Sequence, residues 1–195
     1  MTNTDFIWMR HAKHLTLEST TPLPSISELA HSLSQINRWT GWADYPISVA
    51  QHSVFVSLLV RPELALHGLL HDAHECLTGD INTPVKRWLK SRRLEQLETL
   101  FDTARIAAFG VRALDEGEQA ELKLADLFAA YEEARIAVSV PVEELNEHFG
   151  DPAHPPVQAM LARLPAPASV LLTELSWREA REAFVRRHEA LTGAA

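Results

Sequence analysis

The chain has 195 residues, a formal net charge of −8, 46% hydrophobic residues and 23% charged residues. This composition is typical of one globular domain with a sizeable core, and no apolar run is long enough to span a membrane. The negative charge also argues against binding to a nucleic-acid polymer, which requires clustered lysine and arginine. The sequence start lacks the features of a signal peptide, and the single cysteine, Cys76, permits no internal disulfide, so we expect a cytoplasmic protein.

Residues 1–24 show no clear periodic pattern and are predicted to form an extended or irregular arm, with a short strand as one option. His11 and His14 lie in this arm. Because the segment around them is poorly patterned, we interpret both as surface or packing residues rather than as ligands.

Two capping boxes predict the first two helices. The first begins at Ser25 and its helix is expected to reach Ile36, whereas the second begins at Ser48 and its helix is expected to reach Val60. His52 lies in the first turns of the second helix. A lone histidine in this position is usually a packing residue, so a ligand role depends on partners elsewhere.

Arg38 and Trp39 follow the first predicted helix. An arginine beside an indole can simply stack at a surface corner. Alternatively, the guanidinium can bind a phosphate while the indole forms one wall of a sugar or base site.

The stretch of residues 69–86 carries an unusual density of ionisable and hydroxyl side chains. His71 and Asp72 close an apolar run that is predicted to continue as the interior of one helix, where two ionisable groups are costly without a partner. A divalent cation is such a partner. Glu75 lies on the same helical face, three and four positions further on.

The same helix is predicted to end at Gly79, which suits a left-handed cap, and Asp80 follows in the turn. Thr83 and Pro84 are then expected to be the N-cap and the first residue of a new helix. Glu75 and Asp80 should therefore project toward one concave region.

The rest of the chain is predicted to be mostly scaffold. Helices are expected over residues 91–110, 115–138 and 169–191, with a proline-rich connection over residues 139–166 that contains one short helix at 143–149. Asp126 stands among apolar residues of the second of these helices. An inward-facing carboxylate there should be paired or metal-bound, whereas an outward-facing one would be an ordinary surface residue.

The combination of these residues is more specific than any one of them. The order of His52, then His71-Asp72, then a distant Asp126 resembles the ligand pattern of the HD-domain metal-dependent phosphohydrolases. Further segments closely resemble the bacterial 5′-deoxynucleotidases of that superfamily: Arg38-Trp39, Glu75, Thr78-Gly79-Asp80, Thr83-Pro84-Val85-Lys86, Lys123-Leu124-Ala125-Asp126 and Ala130-Tyr131. The segment from Ile26 to Val60 looks equally like phage and bacterial HD proteins that include deoxyadenosine triphosphate triphosphohydrolases.

This resemblance implies an all-α fold, an HD-domain helical bundle of about six to eight helices. The chain would form a single HD domain over residues 1–195, with the arm at 1–24, the HD core at 26–137 and a C-terminal helix at 168–192. A homo-oligomer is a further expectation of the resemblance.

The resemblance also implies roles for the site residues. The metal ligands would be His52, His71, Asp72 and Asp126, binding one divalent ion that could be cobalt, manganese, zinc, magnesium or iron. The catalytic residues would be Glu75 and Asp80, and the substrate contacts would be Arg38, Trp39, Lys86 and His74.

The implied activity is removal of the 5′-phosphate from deoxynucleoside monophosphates. One alternative is a deoxynucleoside triphosphate triphosphohydrolase that releases triphosphate, and another is a catalytically inactive, nucleotide-binding regulatory module. Two residues depart from the deoxynucleotidase pattern: Asn82 replaces a proline and His74 replaces a small residue. The first should loosen the turn that holds Asp80, and the second could add a proton donor or a phosphate contact.

Overall fold

The computed structural model describes residues 6–9, 13–16, 23–166 and 168–193. These residues form an all-α fold, as predicted, with one short antiparallel hairpin of strands β1 (Phe6–Trp8) and β2 (His14–Thr16). His11 lies outside the described residues, and His14 is the first residue of β2. Within the described ranges, no helix is long and apolar enough to cross a lipid bilayer.

Ten α-helical segments follow the hairpin in the described part of the chain. Six of them have eight or more residues and eight have seven or more, in line with the expected six to eight helices. The segments are α1 (Ile26–Leu33), α2 (Val49–Leu59), α3 (Ala65–Leu70), α4 (Glu75–Thr78), α5 (Thr83–Leu89), α6 (Arg92–Phe109), α7 (Glu116–Ala137), α8 (Val142–Phe149), α9 (Pro155–Leu161) and α10 (Trp177–Thr192). Short 3-10 helices cover Arg38–Gly41, Pro62–Leu64 and Ala168–Leu172.

Helix α2 is the centre of the bundle. It carries no acidic or basic residue besides His52, and every residue of the helix except Leu58 is buried, as expected of a helix surrounded by others. Helices α1, α3, α7 and α10 all pack against it. The predicted capping boxes at Ser25 and Ser48 are both formed, so each helix begins at its predicted residue.

Gly68 allows α3 to lie close to α2. A Cβ atom at this position would stand 2.9 Å from the Cα of Ser57, closer than side-chain carbons approach backbone atoms in proteins. Only glycine therefore permits this helix spacing without a shift of one backbone. The contact matters for the site because α2 carries His52 and the end of α3 leads into His71.

The prediction of one continuous helix through His71 and Asp72 is wrong. Helix α3 ends at Leu70, residues 71–74 form a turn, and α4 begins at Glu75. The backbone here is tightened, because the amides of Ala73, Glu75 and Leu77 each donate to the carbonyl three residues earlier. Gly79 does end α4 with the predicted positive φ, at +69°.

Other boundaries also differ from the predictions. Asn82, not Thr83, is the N-cap of α5, because its side-chain oxygen accepts from the amide of Val85. Helix α1 stops at Leu33, and the last helix begins after the Ser176 capping box rather than at Ser169. Helix α9 was not predicted, because its first two residues are prolines in a segment interpreted as a connection.

Candidate metal centre

His52 is fully buried on α2 and has both ring nitrogens aimed at carboxylates. Its Nδ1 lies 2.7 Å from Oε1 of Glu133, and its Nε2 lies 3.2 Å from Oδ1 of Asp126 and 3.6 Å from Oδ2 of Asp72. An ionised carboxylate only accepts hydrogen bonds, so Nδ1–H donates to Glu133. In the neutral ring, the lone pair on Nε2 then points toward the two aspartates, which is the arrangement of a metal-binding histidine.

His71 approaches the same place from the end of α3. Its Nδ1–H donates to the carbonyl oxygen of Gly68 at 2.8 Å, which leaves Nε2 as the free nitrogen of a neutral ring. That Nε2 is buried without a hydrogen-bond partner, 3.1 Å from Asp72 Oδ2 and 3.8 Å from Asp126 Oδ1. The rings of His71 and His52 have centroids 5.2 Å apart.

Asp72 and Asp126 complete the group. Each offers one carboxylate oxygen to the histidines, and the second oxygen of Asp126 accepts from Lys123 at 2.6 Å. The aspartates are the side of the cluster that solvent reaches, because their side chains are 17% and 22% exposed while that of His52 is fully buried. Asp126 therefore faces inward, which the sequence alone left open.

The four side chains form a group that can hold a metal ion. One ligand atom from each of His52, His71, Asp72 and Asp126 lies within 4.8 Å of the other three. Two neutral imidazoles and two carboxylates balance the charge of a divalent cation, and they are donors that first-row transition metals accept. The buried Nε2 of His71, which has no hydrogen-bond partner, fits such an ion.

The directions of the pKa shifts indicate that this cluster attracts positive charge. Burial works against the cationic form of both histidines, yet the neighbouring carboxylates outweigh it and raise the pKa of His52 and, more strongly, that of His71. Burial likewise disfavours the charged aspartates, but the two imidazoles hold the pKa of Asp72 and Asp126 far below the ordinary range. A bound cation would supply the positive charge that protons otherwise supply.

Glu133 is a central residue of the site that the sequence analysis missed. Its carboxylate is fully buried and accepts from His52, from Arg38 Nε at 2.7 Å and from Trp39 Nε1 at 3.1 Å. Although burial disfavours its charge, Arg38 and His52 lower the pKa of Glu133. The available signal was its position on α7, seven residues after Asp126, which places both carboxylates on one helical face.

The two predicted catalytic carboxylates interact electrostatically with the metal-binding group. Glu75 is only 4% exposed; burial, together with the charges of Asp72 and Asp80, raises its pKa to about 9. Asp80 is half-buried, and burial raises its pKa while the nearby Arg38 opposes that shift. The charges of Asp72 and Arg38 therefore act on both carboxyl groups: Asp72 raises their pKa values and Arg38 lowers them.

The four predicted substrate residues divide into two pairs. Arg38 and Trp39 lie against the metal-binding group, with Arg38 Nη1 3.9 Å from Asp72 Oδ2. Lys86 and His74 both approach Glu98 on α6: Lys86 Nζ lies 2.9 Å from Glu98 Oε1, and His74 Nε2 lies 3.6 Å from the same atom.

The segment Arg38–Gly41 has a strained backbone. Trp39 and Thr40 both have left-handed conformations, with φ of 59° and 53°, which non-glycine residues rarely adopt in succession. Glu133 holds the Trp39 side chain, and the Asn82 amide donates to Thr40 Oγ1 at 3.1 Å. Asn82 thus caps α5 and ties it to this segment.

No family model matches the chain. A protein of Rhodobacter capsulatus that is described as uncharacterized is 32% identical over 197 aligned positions, covering 94% of this chain and 95% of that protein. The chain therefore belongs to the family of this Rhodobacter capsulatus protein. YfdR of Escherichia coli K12, also described as uncharacterized, is 44% identical over 72 residues, which cover 36% of this chain and 40% of YfdR.

Proposed function

We propose that the chain is an HD-domain metal-dependent phosphohydrolase that removes the 5′-phosphate from deoxynucleoside monophosphates. The observation that carries this proposal is the convergence of two histidines and two aspartates from α2, the end of α3 and α7, with one ligand atom of each within 4.8 Å of the others. A divalent cation bound there would polarise a phosphate oxygen and lower the pKa of a bound water.

The side chains around the cluster can carry out the remaining steps. Asp80 would orient or deprotonate the attacking water, or protonate the leaving oxygen, with Glu75 in its support. Arg38 would neutralise the phosphate, since its position is fixed by Glu133 and part of its guanidinium faces Asp72. Trp39 would form a wall for the deoxyribose or base and disfavour a 2′-hydroxyl.

Lys86 is a weaker candidate for phosphate binding in this arrangement. Its ammonium group is paired with Glu98, so it would have to exchange that partner for a phosphate. Burial acts to lower the pKa of Lys86, but Glu98 and then the charges of Glu75 and Asp72 raise it above its ordinary value.

Asp80→Ala separates catalysis from metal binding. Asp80 is not among the four residues of the metal-binding group, so the variant should retain its metal and lose phosphate release. The measurement is metal content together with phosphate release from a deoxynucleoside monophosphate. Unchanged hydrolysis would remove Asp80 from the mechanism.

Asp126→Ala should lose metal and activity together, because it removes one of the four ligands. Asp102→Ala on α6 is the matched control, since that aspartate pairs with Arg105 away from the cluster. A metal-loaded, active Asp126→Ala protein would exclude Asp126 as a ligand.

A substrate panel decides between the three alternatives. The protein is incubated with deoxy- and ribonucleoside mono- and triphosphates in the presence of cobalt, manganese, zinc or magnesium, and the products are separated. Phosphate from monophosphates supports the proposal, and triphosphate release indicates the triphosphohydrolase. Nucleotide binding without any product under every metal indicates a regulatory module.

A further inference from the structure

A second group of potential ligands lies directly beside the first. One ligand atom each from Asp72, His74 and Glu75 also fall within 4.8 Å of one another. Asp72 belongs to both groups, so a carboxylate with two oxygens stands between them. His74 is not a ligand of the first metal site.

The buried polar atoms of this second group have no hydrogen-bond partners. Glu75 is 4% exposed, and its Oε2 is buried without a hydrogen-bond partner. His74 is 9% exposed, and both of its ring nitrogens are also buried without a hydrogen-bond partner. A buried carboxylate oxygen and a buried imidazole without partners each cost free energy, and such atoms in a folded protein call for an explanation. A bound divalent cation would satisfy both.

The tightened backbone after α3 brings these side chains together. The amide of Glu75 donates to the carbonyl of Asp72 at 3.0 Å, a bond between residues three apart. In such a 3-10 geometry the side chains at positions i and i+3 eclipse each other, so Asp72 and Glu75 project in the same direction. An ideal α-helix through this segment, as the sequence predicted, would have offset them.

The neighbouring Glu98 does not account for this group. Its Oε1 is 3.6 Å from His74 Nε2, beyond hydrogen-bond distance, and its closer partner is Lys86 at 2.9 Å. The contact also leaves His74 Nδ1 and Glu75 Oε2 unsatisfied.

We propose that Asp72, His74 and Glu75 bind a second divalent cation, with Asp72 shared between the two metals. The proposal deepens the proposed function, because the shared ligand presupposes the first metal site. One imidazole and two carboxylates suit a first-row transition ion such as manganese or cobalt. Two cations held in this way would supply positive charge to a phosphate group, as the paired metals of phosphatases do.

Metal stoichiometry tests the second site without relying on activity. The full-length protein is stripped with a chelator, reloaded with manganese, and its bound metal is measured by elemental analysis and by electron paramagnetic resonance. The wild type should hold two ions per chain and show an exchange-coupled pair. His74→Ala and Glu75→Gln should each hold one ion and show an uncoupled signal.

His148→Ala is the matched control, because His148 is an exposed histidine on α8. It should keep both ions, and thermal unfolding of every variant establishes that the fold is intact. A wild type with one ion, unchanged by His74→Ala and Glu75→Gln, would overturn the second site and leave the first. A wild type that holds no ion would overturn both.

Discussion

The carboxylate of Glu133 connects three groups of the candidate site. It accepts from the His52 imidazole, the Arg38 guanidinium and the Trp39 indole, and it is itself fully buried. A carboxylate behind a metal-binding histidine fixes the tautomer and orientation of the ring and makes the ring a better ligand. We therefore interpret Glu133 as the positioning residue of the site.

Glu133→Gln should weaken metal binding about 10- to 100-fold, the range observed when such supporting groups are changed. The amide can still accept one hydrogen bond but carries no charge for Arg38 or His52. The affinity for manganese is measured by calorimetric titration of the metal-free protein. The preceding residue gives a matched control: Glu132→Gln removes only a surface ion pair with Arg135 and should leave the affinity unchanged. Equal affinities in wild type and Glu133→Gln would refute the positioning role.

At the scale of secondary structure, the site depends on how closely α3 approaches α2. Gly68 makes this approach possible, and its carbonyl also accepts the Nδ1–H of His71. The same residue thus sets the helix spacing and the orientation of one ligand. A shift of α3 away from α2 would separate His71 from His52.

Gly68→Ala should destabilise the protein by about 1–3 kcal/mol, because the added methyl group meets the backbone of Ser57. Metal affinity should fall as well. Unfolding by denaturant and metal titration measure the two effects.

Gly117→Ala is the control for the glycine substitution. Gly117 lies in the first turn of α7, where a Cβ would meet only the Asp115 side chain at 3.4 Å. Since alanine favours a helix over glycine, this variant should be about as stable as the wild type or up to about 1 kcal/mol more stable. A Gly68→Ala protein that behaves in the same way would show that the close helix contact is not required.

Local signals in the sequence predicted most helix starts but not the geometry of the site. The Ser25 and Ser48 capping boxes require only neighbouring residues, and both predictions are confirmed. The turn after Leu70 was not predicted, because residues 71–74 contain no glycine or proline to mark the end of a helix. The cap of α5 was misassigned by one residue, because Asn82 and Thr83 are both suitable cap residues and only the structure shows which side chain accepts the bond.

For the site residues, too, the sequence predicted one part of the arrangement and not the other. The resemblance to HD-domain phosphohydrolases implied that His52, His71, Asp72 and Asp126 act together, and the structure brings their ligand atoms within 4.8 Å of one another. The inward direction of Asp126 could not be predicted, because the sequence does not show which groups lie across the bundle. Glu133 shares the helical face of Asp126, but its partners His52, Arg38 and Trp39 come from other parts of the chain.

On the scale of the whole molecule, the ends of the described chain are fastened to the central helices. Helix α10 packs across α1, α2 and α3, and Arg187 donates to the hydroxyl and carbonyl oxygens of Ser57. At the other end, Lys13 pairs with Glu28 at the start of α1. Glu28 also closes the Ser25 capping box, so one carboxylate stabilises the helix start and holds the preceding segment.

The contribution of the Glu28 carboxylate to folding stability should depend on pH. Its hydrogen bonds with Lys13 and Ser25 lower the pKa of Glu28 from 4.5 to about 2. A carboxyl with a lowered pKa in the folded state contributes stability above its unfolded pKa, and that contribution is lost as the pH falls toward the folded value. Glu28→Gln should therefore be less stable than the wild type at pH 7, by about 1 kcal/mol, and the difference should shrink between pH 4.5 and pH 2.

Thermal unfolding across this pH range measures the difference. Glu182→Gln is the control, because Glu182 pairs with Arg186 on the exposed face of α10. A Glu28→Gln protein whose stability deficit is the same at pH 7 and pH 2 would exclude the charge of Glu28 as its cause.

The most direct test of the metal centre is an anomalous diffraction measurement on crystals of the cobalt-loaded protein. We expect an anomalous peak within bonding distance of His52 Nε2, His71 Nε2 and one carboxylate oxygen each of Asp72 and Asp126. The absence of cobalt from these four residues, or its binding only elsewhere in the molecule, would contradict the metal site and the hydrolase function proposed from it.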